Sequence, residues 1–261
     1  MDLGLKDKVV LITGGSKGIG LACAHQFCAE GARVAIASRD RANLDKAKAA
    51  LKTQGHDVVA IVADLTRPVD AKAMVADAER ALGPIDILVN SAGAAKRHAI
   101  EDLDAEAWAS AMNAKFFTYI HTLDAVRTGM VARKSGAVVN IIGMGGKSAN
   151  PTHLAGGAAN AALMLVSTGL AAALAPHGIR VNAINPGATD TERVKQALRV
   201  ESKVSGVSED EIRKRQSTRL PMGRIATPDE VAAVTLFLAS KQASYVTGVT
   251  IPMDGGSTTV I

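Results

Sequence analysis

Cysteine is scarce in this chain. Only Cys23 and Cys28 occur among 261 residues, five apart in a segment that reads as a helix. That spacing places them on different faces with no metal-ligand partner nearby. They read as reduced, partly buried thiols, with no metal site, and as suited to a cytoplasmic protein. No basic stretch followed by an apolar segment opens the chain, so no secretory signal is expected. Long apolar runs are also missing: the longest, 161–176, contains Ser167, Thr168 and Gly169 and falls short of the ~20 residues a bilayer crossing needs. It reads as a buried helix, with no membrane partner. No Ser/Gly/Pro-rich linker, charge block or internal repeat divides the sequence, which predicts one domain over residues 1–261.

The net charge of +5 comes with few aromatics, 3% of residues. Between residues 192 and 224 stand nine Lys/Arg (Arg193, Lys195, Arg199, Lys203, Arg213, Lys214, Arg215, Arg219, Arg224) against five acids (Glu192, Glu201, Glu209, Asp210, Glu211). Most of the surplus therefore lies in one segment that lacks the interleaved aromatics of a base-stacking surface, which argues against nucleic acid. Two readings stay open for it: a solvated helical face, or a surface that attracts an anionic substrate.

Apolar runs at 8–13, 33–38, 58–63, 85–90, 137–142, 180–185 and 249–252 alternate with helical patterns at 18–30, 41–54, 68–82, 104–129, 151–175 and 228–239. Strands that are apolar at consecutive positions and separated by helices imply a parallel sheet covered on both faces. The expected fold is α/β: a Rossmann-type doubly wound sheet in three α/β/α layers, with its ligand crevice beyond the carboxyl ends of the strands. Residues 188–227 break the alternation and form a candidate substrate lid whose charges alternate without a clear apolar face.

The segment TGGSKGIG at 13–20 follows the first strand and opens the first helix. Gly14 permits a tight turn, Gly18 and Gly20 permit close approach to a pyrophosphate, and the helix start supplies free N–H groups with a positive dipole. Where a site for NAD would carry an acid about 20 residues further on, the chain reads Ser38-Arg39. Arg39 can grip a 2′-phosphate bidentately, and Lys17 can reach the same group. Asp40 reads as the cap of the helix from Arg41. NADP(H) is the expected cofactor, ahead of NAD.

These motifs resemble those of the short-chain dehydrogenase/reductase family. The likeness runs over roughly residues 6–256 and includes Asp64-Leu65, Asn90-Ser91-Ala92-Gly93, Asn185 to Thr191, Pro221 to Gly223, Pro228-Asp229-Glu230 and Asp254-Gly255-Gly256. The resemblance implies that Gly14, Ser16, Lys17, Gly18, Ile19 and Gly20 meet the phosphates, and that Asp64 and Leu65 meet the adenine. Asn90, Ala92 and Gly93 would line the cofactor's middle, with Pro186, Gly187, Thr189 and Thr191 around the carboxamide. A homotetramer or homodimer is also implied.

The same resemblance exposes a gap. Family members carry a catalytic Ser, then Tyr and Lys four residues apart; aligned through Asn140, Gly146 and Pro151, those places hold Gly143, Gly156 and Asn160. Asn113, after Trp108, matches the family's fourth polar residue. A replacement acid is offered by His153, one helical turn ahead of Gly156 and on the face shared with Asn160. An imidazole titrates near pH 6.5 unperturbed and both gives and accepts protons; the alternative is a first-turn His with no role. Gly156-Gly157 inside a helix costs roughly 1 kcal/mol per Gly relative to Ala, which implies that cofactor, substrate or another subunit approaches closely. Three functions follow: an NADP(H)-dependent oxidoreductase reducing a carbonyl, quinone or imine-like small molecule at a non-standard site; a non-catalytic NADP-binding sensor or partner subunit; or a non-redox lyase or isomerase.

Overall fold

The computed structural model describes residues 2–93, 95–218 and 220–258, without the side chains of Arg193, Gln196, Ala197, Val200, Glu201, Val204 and Gln216. Seven strands, β1 (Val9–Thr13), β2 (Arg33–Ser38), β3 (Val58–Val62), β4 (Ile87–Asn90), β5 (Gly136–Ile141), β6 (Ile179–Pro186) and β7 (Thr250–Met253), form one sheet in the order β3-β2-β1-β4-β5-β6-β7. All six pairings are parallel. The reason lies in the strand sequences: every residue of β1 and β4 is buried, so neither face tolerates water.

Successive side chains of β1 enter different layers. Val10 and Ile12 pack with α1 (Gly18–Ala29), α2 (Arg41–Thr53) and α9 (Pro228–Ala239). Val9 and Leu11 pack with α3 (Pro68–Leu82), α5 (Thr118–Arg133) and α6 (Leu154–Leu174). Each fully buried Val, Ile or Leu contributes ~1.5–3 kcal/mol of transfer free energy to holding these layers. This is the expected doubly wound, three-layer α/β/α domain. Asp40 caps α2, accepting from the N–H of Asn43 at 2.9 Å. Burial pushes the Cys23 thiol up to about 12 and that of Cys28 up to about 11, as expected of unreactive thiols.

Four expectations need correction. The helix expected over 104–129 is α4 (Ala105–Ala111) and α5 joined through a wide π-helical turn, Met112–Phe117. The apolar run at 161–176 belongs to a longer helical stretch, Leu154–His177, whose mean hydropathy of 1.7 and 24 residues meet the length and composition of a membrane span. Here α6 lies on the sheet, and it is buried on one face only. Ala155, Ala159, Leu163, Ser167, Ala171 and Leu174 point inward, whereas Leu165 is 78% exposed. Residues 188–227 contain two helices, α7 (Glu192–Ser205) and α8 (Glu209–Thr218). Contrary to the charge pattern, Leu198 and Ile212 are buried and anchor them. Of the charges counted there, Arg219 and the side chains of Arg193 and Glu201 lie outside the described residues.

Candidate active site

A cavity of about 870 Å³ crosses the carboxyl ends of the strands, on either side of the point where the strand order reverses between β1 and β4. Its head is the glycine turn. Gly14 has φ +68, and a Cβ there would come within 2.9 Å of the backbone of Ser91 and Ala92. The two loops are held together by Thr13, whose hydroxyl accepts the N–H groups of Ser91 and Ala92 at 3.1 and 3.2 Å. At Lys17, the residue before α1, no side-chain cap covers the helix start, so backbone donors are left for a ligand.

Gly14, Lys17, Gly18, Ile19, Ser38, Arg39, Asp64, Leu65, Ala92, Gly93, Pro186, Gly187, Thr189 and Thr191 all line this cavity. Three expected contacts do not, because they stand behind its wall. Ser16 is 8% exposed. A side chain on Gly20 would collide with the carbonyl oxygen of Gly14, so this glycine lets the helix sit against the turn. Asn90 is fully buried and serves the scaffold: its amide donates to Asn140 Oδ1 at 3.0 Å, and Asn140 donates to Ser167 Oγ at 2.9 Å. That chain of amides ties β4 and β5 to α6 directly beneath the cavity floor.

At the far end, Gly143, Gly145, His153 and Asn160 meet. An ideal Cβ on Gly143 would lie 3.4 Å from Asn160 Nδ2, and one on Gly145 would lie 3.3 Å from both Asn160 Nδ2 and His153 Cδ2. His153 immediately precedes α6, and its ring fills the space beside Gly156: a Cβ there would come within 2.5 Å of Nε2. A Cβ on Gly157 would come within 2.8 Å of the Gly145 carbonyl oxygen. The Gly156-Gly157 pair thus accommodates close neighbours from this chain, the His153 ring and the Gly145 carbonyl.

Asn113 does not reach the cavity. It is exposed on the π-helical turn, and the residues that turn presents to the cavity are Ala114 and Lys115. Lys115 is 7% exposed; its ammonium donates to Tyr119 Oη at 2.8 Å and to the carbonyl of Ile141 at 3.2 Å. Sequence reasoning missed it. The available signal was a lysine among Ala114, Phe116 and Phe117, one helical turn before a tyrosine. At the rim, Arg97 donates to Thr152 Oγ1 at 3.0 Å, and the N–H of His98 donates to the Thr152 carbonyl, so the 96–98 segment is strapped beside His153.

Comparison with known proteins agrees with this geometry. A family profile described as enoyl-(acyl carrier protein) reductase matches residues 14–258. The chain is 34% identical over 256 residues, 98% of each chain, to 2-(S)-hydroxypropyl-CoM dehydrogenase 3 of Xanthobacter autotrophicus. It superposes with a TM-score of 0.95 and 30% identity, over all of both chains, on L-sorbose reductase from Gluconobacter frateurii complexed with NADPH and L-sorbose. It is also similar (TM-score 0.89, 31% identity, 97% of this chain and 98% of the other) to an NADPH-bound short-chain oxidoreductase from Pseudomonas aeruginosa PAO1 described as containing an atypical catalytic centre. A likeness of this extent, in sequence and in the strand order that builds the cavity, leaves one conclusion: the chain belongs to the short-chain dehydrogenase/reductase family of oxidoreductases.

Proposed function

We propose that this chain is an NADP(H)-dependent oxidoreductase that reduces a carbonyl, quinone or imine-like substrate, with His153 in place of the family's tyrosine acid. The observation that carries this reading is the imidazole of His153, which fills the space beside Gly156 at the cavity's far end. The cavity fits the cofactor by its own features: an uncapped helix start for a pyrophosphate, a glycine turn that a Cβ would close, and the cations Lys17 and Arg39 on its wall. Arg39 and Lys17 would hold the 2′-phosphate, Asp64 and Leu65 would meet the adenine, and Pro186 to Thr191 would hold the carboxamide. NADPH supplies the hydride.

The chain's own residues then manage the proton and the orientation. His153 donates to the oxygen or nitrogen on which charge develops, and Asn160 orients the substrate from the same helix. Loss of a positioned acid costs ~10²–10⁴-fold in rate, a penalty that a replacement imidazole offsets. Helices α7 and α8 close over the substrate end. The exposed apolar outer face of α6, with Leu165 at its centre, supports assembly as a homodimer or homotetramer.

The test is NADPH oxidation against a panel of quinones, diketones and cyclic imines, in wild type and His153→Phe. Wild-type turnover should fall as pH rises through the imidazole titration. The variant should lose that dependence and about 10²-fold in kcat, with NADPH affinity nearly unchanged. Micromolar NADPH binding with no turnover across the panel would favour the sensor or partner-subunit reading. Full activity in His153→Phe would leave the proton to solvent.

A further inference from the structure

We propose that Lys115 is a second catalytic residue, an ammonium that binds the substrate oxygen as negative charge develops there, and that Tyr119 is the residue that positions it. This rests on the oxidoreductase reading above. The relatives' lysine would come from α6, at the position held here by Asn160. In this chain a cation reaches the same wall from the π-helical turn between α4 and α5.

Burying an ammonium costs several kcal/mol unless hydrogen bonds and polar neighbours compensate. Lys115 is 7% exposed and lines the cavity. Its Nζ is fixed by Tyr119 Oη at 2.8 Å and the Ile141 carbonyl at 3.2 Å, and it lies 4.5 Å from the centre of the Tyr119 ring. Tyr119 is 1% exposed and donates its own hydroxyl proton to the Ile141 carbonyl. It does not touch the cavity; its effect passes through the ammonium.

Ile141 ends β5 two residues before Gly143, which faces Asn160, and Gly145 then faces His153. Ammonium, amide and imidazole all line the cavity, the last two meeting at Gly145. Among the described residues, the carboxylates on its wall are Asp64 and Glu192. The first accepts from Thr66 at 2.8 Å and the second pairs with Arg199 at 3.0 Å. The charge balance at the reacting end is thus positive, which suits an oxyanion.

The step balances as follows. Hydride adds to the carbonyl carbon and the C=O π pair moves to oxygen. Lys115 donates a hydrogen bond to that oxygen without giving up its proton. His153 releases its proton to the oxygen, and the neutral imidazole regains one from solvent. The net change is one hydride and one proton added per carbonyl.

The experiment uses the full chain with NADPH and 9,10-phenanthrenequinone as the acceptor. A second arm measures benzoate, a planar oxyanion, binding to the NADP⁺ complex by calorimetry. Lys115→Met should lower kcat by about 10²–10³-fold, leaving quinone KM, NADPH affinity and Tm close to wild type, and should abolish benzoate binding. Tyr119→Phe keeps the ring and its packing and should lower kcat about 10-fold with KM unchanged; a merely structural tyrosine would move Tm and leave kcat. Turnover in Lys115→Met equal to wild type overturns this inference and leaves the oxidoreductase reading intact. Absent turnover with Lys115-dependent benzoate binding overturns the reading and keeps the oxyanion site. Absence of both overturns the two together.

Discussion

His153 and Gly156 claim one volume: a Cβ at position 156 would sit 2.5 Å from His153 Nε2 and 2.8 Å from Nδ1. Tyrosine therefore cannot simply be put back. The variant Gly156→Tyr/Asn160→Lys should pack badly, at about the 1–3 kcal/mol that overfilled sites cost, and should show no gain in ketone reduction. Adding His153→Ala should restore the Tm and raise ketone reduction. Equal activity of the double and triple variants would show that the imidazole readily leaves this space.

Cofactor choice should follow Arg39. It shares the cavity wall with Ser38 and Lys17, while the nearby Asp40 is occupied with the N–H of Asn43. NADPH should bind more tightly than NADH, and Arg39→Asp should reverse the order by placing a carboxylate against the 2′-phosphate. Fluorescence titration of both nucleotides measures this; equal dissociation constants in the wild type would refute it.

Acid stability has a named contributor in Glu230. Its carboxylate receives Arg224 in two bonds, at 2.6 and 2.9 Å, and completes a capping box with Thr227 at the start of α9. The hydrogen bond with Arg224, then the N–H of Thr227, lower its pKa from 4.5 to about 2. Because the folded value lies below the unfolded one, the contribution is complete above about 4.5 and is lost as pH falls towards 2. The Tm difference between wild type and Glu230→Gln should be full near neutrality and close across that window. A constant difference would mean that the charge plays no part.

Arg180 should be a stability hot point away from the cavity. Its guanidinium donates to the carbonyls of Leu238, Ala239, Ser240 and Val246 at 2.6–3.4 Å, closing the last turn of α9. Burial lowers its pKa. Leaving these acceptors without a donor in Arg180→Met should cost about 1.5–3 kcal/mol, read as a drop in Tm of several degrees with NADPH affinity retained. A change within error would mean that water replaces the guanidinium at no cost.

The sheet was legible because its buried parallel strands carry runs of consecutive apolar residues, as in Ile87-Leu88-Val89, and because Gly14, Asp40 and Pro228 mark the turns and helix starts by local chemistry. Most of the cavity wall was legible because it is built of loops with constrained backbones. Lys115 was not legible. Reading across α4 assumes 3.6 residues per turn, whereas the π-helical stretch Met112–Phe117 is wider, and Asn113 faces outward instead. The intrachain neighbours of the Gly156-Gly157 pair were not legible either: sequence shows that space is needed, but not that His153 and the Gly145 carbonyl stand beside it. Such contacts depend on where the 143–146 turn lands, and no local pattern encodes that.

The strand order has a consequence for synthesis. β1 is an interior strand, and its second neighbour is β4: Val10 pairs with Ile87, 77 positions later. β3 ends at Val62, 25 positions before Ile87 opens β4, so at a ribosomal rate of ~5–20 residues per second the β1–β2–β3 ribbon is complete ~1–5 s before the strand that completes the sheet around it. Through that interval one side of the most apolar strand offers unpaired N–H and C=O groups to any passing chain. The nascent first third of this protein is thus where aggregation is most to be expected and where a holding chaperone would act.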